Sequence, residues 1–180
     1  MKLDESHKEV RKLALWTEAW IKAACMNKVG PRWALFSGPP GTGKTHSLKA
    51  ASRYIRSVQG FLWPKYHKKP IKTMFLTWSK VVAFEKYGWD DFKGEVSECN
   101  VLMVDDIGSE IDRFKTGEPA ERLRVFLDLV RNSWLLGSTN VSRSDFAKIF
   151  DARCQSRLEI AKVCEVDAPD YRRKLNADMK

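Results

Sequence analysis

The segment WALFSGPPGTGKTHSLKAASRYIRSV, residues 33–58, decides the fold. WALFS is a short apolar run of strand type, and KTHSLKAASRYIRSV reads as a helix. Between them GPPGTGKT, residues 38–45, fits the phosphate-loop pattern G-x-x-x-x-G-K-[ST], with Gly38, Gly43, Lys44 and Thr45 at its defining positions. Anion binding asks for this order. Glycines let successive backbone N–H groups turn toward one point, and the following helix adds the positive end of its dipole there. Gly38, Pro39, Pro40, Gly41, Thr42, Gly43, Lys44, Thr45 and His46 are therefore the candidate phosphate contacts, with Lys44 on the β/γ-phosphates and Thr45 on Mg²⁺.

Such a loop needs a second strand to complete a metal site, and VLMVDD, residues 101–106, has the right form. Four apolar residues deliver Asp105 and Asp106 to a strand end. Asp105 would support the Mg²⁺ shell beside Thr45, and Asp106 would orient or deprotonate an attacking water, a role often taken by Glu. WLLGSTN, 134–140, reads as the next strand and ends on Asn140, which could hold that water from beside Asp106; the plainer reading of Asn140 is a turn residue. No guanine-reading NKxD follows the loop, because NKVG at 27–30 precedes it, so ATP is the expected nucleotide.

Outward from these motifs, strands and helices alternate, which implies a mainly parallel sheet covered on both faces. SHKEVRKLALWTEAWIKAAC opens with Ser6 and Glu9 in capping-box spacing and predicts an amphipathic helix, with Trp16 and Trp20 either on the core or free to dock a partner. IKTMFLTW reads as a strand, SKVVAFEKYG as a helix capped by Ser79 and stopped at Gly88, and EPAERLRVFLDLVRNSW as a helix with Pro119 in its first turn. RSDFAKIF and DARCQSR predict short helices, and LEIAKVCEV the last strand. The divisions expected are an N-terminal helix over 1–29, a core over 30–168 and a basic tail over 169–180.

The chain has 180 residues and a net charge of +9, unevenly spread: residues 1–75 hold 15 Lys and Arg against 4 Asp and Glu, while 76–180 hold 17 against 19. That asymmetry suggests a polyanionic partner such as nucleic acid. FLWPKYHKKPIK, 61–72, interleaves Phe61, Trp63 and Tyr66 with Lys65, Lys68, Lys69 and Lys72, a composition that stacks bases and tracks phosphates of a single strand. The alternative is a surface loop with its aromatics in the core. Cys25, Cys99, Cys154 and Cys164 show neither disulfide nor zinc spacing, and no apolar stretch is long enough to span a bilayer. A reduced, cytoplasmic protein is expected.

GPPGTGKTH, VLMVDDIGSE, STN and SRL occur here in the order used by the AAA+ ATPases of the DnaC/DnaI/IstB group, and residues from about 30 to 160 resemble that group. The resemblance implies an α/β core with five strands in the order 5-1-4-3-2 and helices on both faces. It also implies Asn140 as a sensor residue and an arginine near SRL acting on a neighbouring subunit's γ-phosphate. Arg157, with Arg153 four positions earlier on the same helical face, matches that place. The tail DYRR, 170–173, is similar to the way such loaders end. Two departures stand out: only about 30 residues precede the first strand where the group carries a partner-gripping domain, and 23 follow Arg157, too few for a helical lid. The implied function is an ATP-hydrolysing helicase loader that self-assembles on single-stranded DNA and acts on a replicative ring helicase. An IstB-like transposition ATPase on duplex DNA, a P-loop small-molecule kinase and an ATP-holding module without turnover are the alternatives.

Overall fold

The structure, a computed structural model, describes residues 5–170 except 59, 61–62, 68–69, 111–115, 150 and 169. Helix α1 (Glu5–Cys25) leads into β1 (Trp33–Ser37) and α2 (Lys44–Val58). A single 3₁₀ turn at Trp63–Lys65 precedes β2 (Thr73–Thr77), α3 (Trp78–Tyr87) and α4 (Trp89–Ser97). Then come β3 (Val101–Asp105), α5 (Glu118–Leu129), β4 (Trp134–Thr139), α6 (Phe146–Ile149), α7 (Ala152–Leu158) and β5 (Lys162–Glu165).

All strand pairings are parallel, and the order is β2-β3-β4-β1-β5, the expected 5-1-4-3-2 read from the other edge. Successive side chains on a strand point to opposite faces, so β1 feeds two cores at once. Trp33 and Leu35 join Leu102, Val104 and Leu135 under α3, α4, α5 and α7. Ala34 and Phe36 join Met103, Leu136 and Cys164 under α1 and α2. Burial on both faces explains why β1, β3 and β4 read as unbroken apolar runs rather than alternating ones.

Four local readings change. The helix expected from Ser79 begins at Trp78 with Thr77 at its N-cap, because Trp78 is needed in the core, where its ring meets Phe126 edge-on. Gly88 does end that helix, but a further helix, α4, follows at once. Trp134 belongs to β4 and not to the preceding helix. The last strand is shorter than LEIAKVCEV, since Leu158 closes α7 and packs in the core while Ile160 is exposed in the turn. Trp20 is buried and donates its indole N–H to the Arg32 carbonyl at 3.1 Å, and Trp16 packs partly buried beside it in the same core. The Ser6 side chain of the expected capping box and the tail beyond Asp170 lie outside the described residues.

Candidate functional site

Because every strand of the sheet is parallel, β1, β3 and β4 deliver their C-terminal residues to one edge, where ligands bind in open α/β sheets. Beyond Ser37 the chain turns through the glycine-rich loop, and α2 starts at Lys44. Gly41 and Gly43 take left-handed φ values of 80° and 90°, conformations that favour glycine. Lys44 is buried and donates to the carbonyls of Gly38 at 2.7 Å and Pro39 at 2.6 Å, so its ammonium is folded over the loop. Thr42 Oγ1 donates to the Pro39 carbonyl at 3.0 Å and stiffens the same turn.

Opposite the loop stands the end of β3. Thr45 Oγ1 donates to Asp105 Oδ1 at 3.0 Å, and Ser138 Oγ of β4 donates to the same oxygen at 2.5 Å. Ser138 Oγ in turn accepts the Asp106 N–H at 3.0 Å, so one hydroxyl ties both acidic residues to the neighbouring strand. Asp106 has φ 58°, which turns the chain out of the strand, and Asn140 Nδ2 donates to Asp106 Oδ1 at 3.2 Å. Asp105 is buried while Asp106 is half-buried and faces the opening. The cavity has a volume of about 390 Å³ and is lined by residues 40–46 with Lys49, Asp106 and Asn140. Thr45 lines the cavity and Asp105 stands buried behind it, and both carry hard oxygen donors of the type Mg²⁺ prefers alongside phosphate oxygens and water.

Sequence reasoning missed three residues here. Ser138 is hidden inside a buried strand, and its only signal is a hydroxyl in an apolar run one position after Gly137. Lys49 lies one helical turn beyond Thr45 on α2, a periodicity that was there to be read. Asp170 comes to the phosphate loop through tertiary packing alone.

The arginine pair lies elsewhere. Both residues are on α7, whose buried side chains belong to the core on the sheet face opposite α1 and α2, and neither lines the cavity. Arg157 grips Asp128 of α5 with two hydrogen bonds, Nε to Oδ1 at 2.7 Å and Nη2 to Oδ2 at 3.0 Å. Its Nη1 also donates to the Arg153 carbonyl at 3.2 Å. The Arg157 hydrogen bonds to Asp128, followed by the guanidinium charge, hold the Asp128 carboxyl below the usual carboxylate range. Arg153 is exposed.

Among the candidate nucleic-acid contacts, Lys65 and Tyr66 are exposed, whereas Trp63 is 3% exposed and stacks on His67 with ring centroids 3.4 Å apart. Trp63 is thus a core residue. Lys68, Lys69 and Phe61 lie outside the described residues.

No family model and no curated protein matches this sequence. Solved structures do. A replication initiator DnaA bound to AMPPCP and single-stranded DNA matches with a TM-score of 0.62 at 16% identity, over 88% of this chain and 50% of that one. DnaI matches with a TM-score of 0.61 at 15% identity, over 93% and 88%. The DnaC helicase loader matches with a TM-score of 0.61 at 21% identity, over 82% and 86%. The chain therefore shares the fold of these structures, a five-stranded parallel α/β core of AAA+ type. It spans about half the length of the initiator and most of the length of the DnaI and DnaC structures.

Proposed function

We propose that this chain binds and slowly hydrolyses ATP, assembles with copies of itself on single-stranded DNA, and acts as a loader on a replicative ring helicase. The observation that carries the reading is the junction of phosphate loop and strand end: Thr45 and Asp105 are 3.0 Å apart, with Asp106 and Asn140 at the mouth of the same cavity. In that arrangement the loop N–H groups and Lys44 receive the β- and γ-phosphates. Thr45 and Asp105 hold Mg²⁺, which when bound neutralises charge on the phosphate oxygens. Asp106 takes a proton from the water whose oxygen attacks the γ-phosphorus as the bond to the β–γ bridging oxygen breaks, leaving ADP and phosphate. Asn140 fixes the Asp106 carboxylate for that task. Arg157 supplies positive charge to the γ-phosphate of a neighbouring copy, and Arg153 supports it or meets DNA. Lys65, Lys68 and Lys69 follow the DNA backbone.

The loader reading is favoured by the near-complete overlap with DnaI and the DnaC helicase loader and by the AMPPCP and single-stranded DNA bound to the initiator of the same fold. The test is phosphate release from ATP with no small-molecule acceptor, measured with single-stranded DNA, with duplex DNA and with neither. Turnover should rise most with the single strand, and Lys44→Ala and Asp106→Asn should each lower it by roughly 10²-fold or more. Preference for duplex would move the assignment to a transposition-type ATPase, and full turnover in Lys44→Ala would reject the site.

A further inference from the structure

Two lysines line the phosphate-loop cavity, and they stand in different states. Lys44 is buried, and its ammonium is already bonded to the Gly38 and Pro39 carbonyls at 2.7 and 2.6 Å. Lys49 is exposed and, among the described residues, makes neither a hydrogen bond nor an ion pair. Lysines on other helices close on a carboxylate of their own helix or turn, as Lys22 does on Glu18 at 2.6 Å and Lys148 on Asp145 at 2.9 Å. Helix α2 carries no Asp or Glu, so no carboxylate of its own helix holds the Lys49 ammonium back.

Helix geometry aims that side chain at the cavity. In an α-helix the Cα–Cβ bonds lean toward the N-terminus, and residues four apart lie one above the other on one face. Lys49 stands one turn, about 6 Å, further along α2 than Thr45. It shares the face from which Thr45 Oγ1 reaches Asp105 at 3.0 Å. A flexible four-carbon stem can carry its ammonium back toward the loop, and Lys49 lines the cavity together with Thr45, Asp106 and Asn140. Asp106 is held by Asn140 at 3.2 Å and not by Lys49. The cavity therefore keeps one mobile cation on the side where its hydroxyl, carboxylate and amide converge.

We propose that Lys49 holds the γ-phosphate, as a cation supplied in cis that makes the site prefer ATP to ADP. The assignment rests on the reading of this cavity as a nucleotide site. Under that reading the β-phosphate belongs inside the loop, where backbone N–H groups converge, and the γ-phosphate lies outward, toward Thr45, Asp106 and Asn140. ATP then gives the Lys49 ammonium a partner that ADP lacks. An ammonium is a compact point charge with no fork geometry to satisfy, which suits a phosphate that arrives with each ATP and leaves after hydrolysis.

Calorimetric titration of the full chain with Mg²⁺ and either ADP or AMPPCP, an ATP analogue that keeps the γ-phosphate, tests it. Lys49→Ala should weaken AMPPCP binding roughly fivefold or more, the size expected of one charge pair at about 4 Å in largely solvated surroundings, and change ADP binding by less than about twofold. Lys49→Arg keeps the charge and should bind AMPPCP more tightly than Lys49→Ala. Because Lys49 is exposed, neither substitution disturbs the core. Equal losses for the two nucleotides, no loss for either, or a loss in Lys49→Arg as large as in Lys49→Ala would each overturn the proposal. Lys44→Ala separates the two layers. If it binds both nucleotides normally the nucleotide site itself is wrong, whereas loss of both there beside an indifferent Lys49→Ala rejects Lys49 alone.

Discussion

Cys154 has no exposed surface, and its thiol donates to the Ala120 carbonyl at 3.1 Å, tying α7 to α5. Burial first, and then the Asp151 hydrogen bond, push this thiol up to about 12; burial pushes Cys164 up to about 11. The sign of the consequence is fixed. Above pH 9 an unfolded chain releases these protons while the folded chain keeps them, so stability falls as pH rises past 9, by up to about 1.4 kcal/mol per pH unit for each thiol. Urea midpoints at pH 8 and pH 10 should therefore drop less in Cys154→Ala than in the unaltered chain; equal drops would show that the thiol carries no such linkage. Ser138 makes the complementary point about legibility at this scale. The Asp105–Asp106 pair announces itself at the end of an apolar run, but the hydroxyl that binds both to β4 is one serine among many, and only parallel pairing puts it beside Asp105.

At the scale of elements, the loop, strand and helix around residues 33–58 were legible because that motif needs only local sequence order. The alternation of strands and helices gave a parallel sheet with crossovers, while the strand order came only with the resemblance in sequence. Helix α4 was not legible: among its described side chains WDDFKGEVS buries only Phe92 and Val96, four residues apart, and it carries Gly94 in its middle. Its place is set by packing, with Phe92 stacked on Phe84 of α3 at a centroid distance of 4.7 Å. Sequence left Trp63 open between base stacking and the core, and the core placement is decided by tertiary packing, since its partner His67 is fixed by α1, with Nε2 3.1 Å from the Ala24 carbonyl. The elements near the acidic strand end are joined by Glu110, which accepts from the Trp78 indole of α3 at 2.6 Å and from the buried Arg122 guanidinium of α5. Removing that carboxylate takes a charged partner from a buried arginine, so Glu110→Ala should cost about 3 kcal/mol of stability by denaturant unfolding. A loss well below about 1 kcal/mol would mean that the three elements are held by apolar packing alone.

Viewed as a whole molecule, the chain separates its machinery. The phosphate loop and α2 pack with α1 on one face of the sheet, while the arginine pair rides on α7 over the other and neither arginine reaches its own cavity. Under the proposed function a charge placed there would serve a nucleotide site in another copy, and the Asp128 clamp on Arg157 would have to open for it to do so. The clamp did not follow from sequence, because Asp128 and Arg157 are distant along the chain. Among the described residues no helix is long and apolar enough to cross a membrane, and the excess positive charge of residues 1–75 lies in the half that carries α1 and α2. The most direct test of the central claim, an ATP site finished by a neighbour, is complementation at high protein concentration. Lys44→Ala lacks its own site but keeps Arg157, and Arg157→Ala has the reverse defect. Each variant alone should release phosphate from ATP very slowly, and an equal mixture on single-stranded DNA should recover a substantial part of the unaltered rate. A mixture no faster than the sum of its two components, or an Arg157→Ala chain with undiminished turnover, would contradict the account.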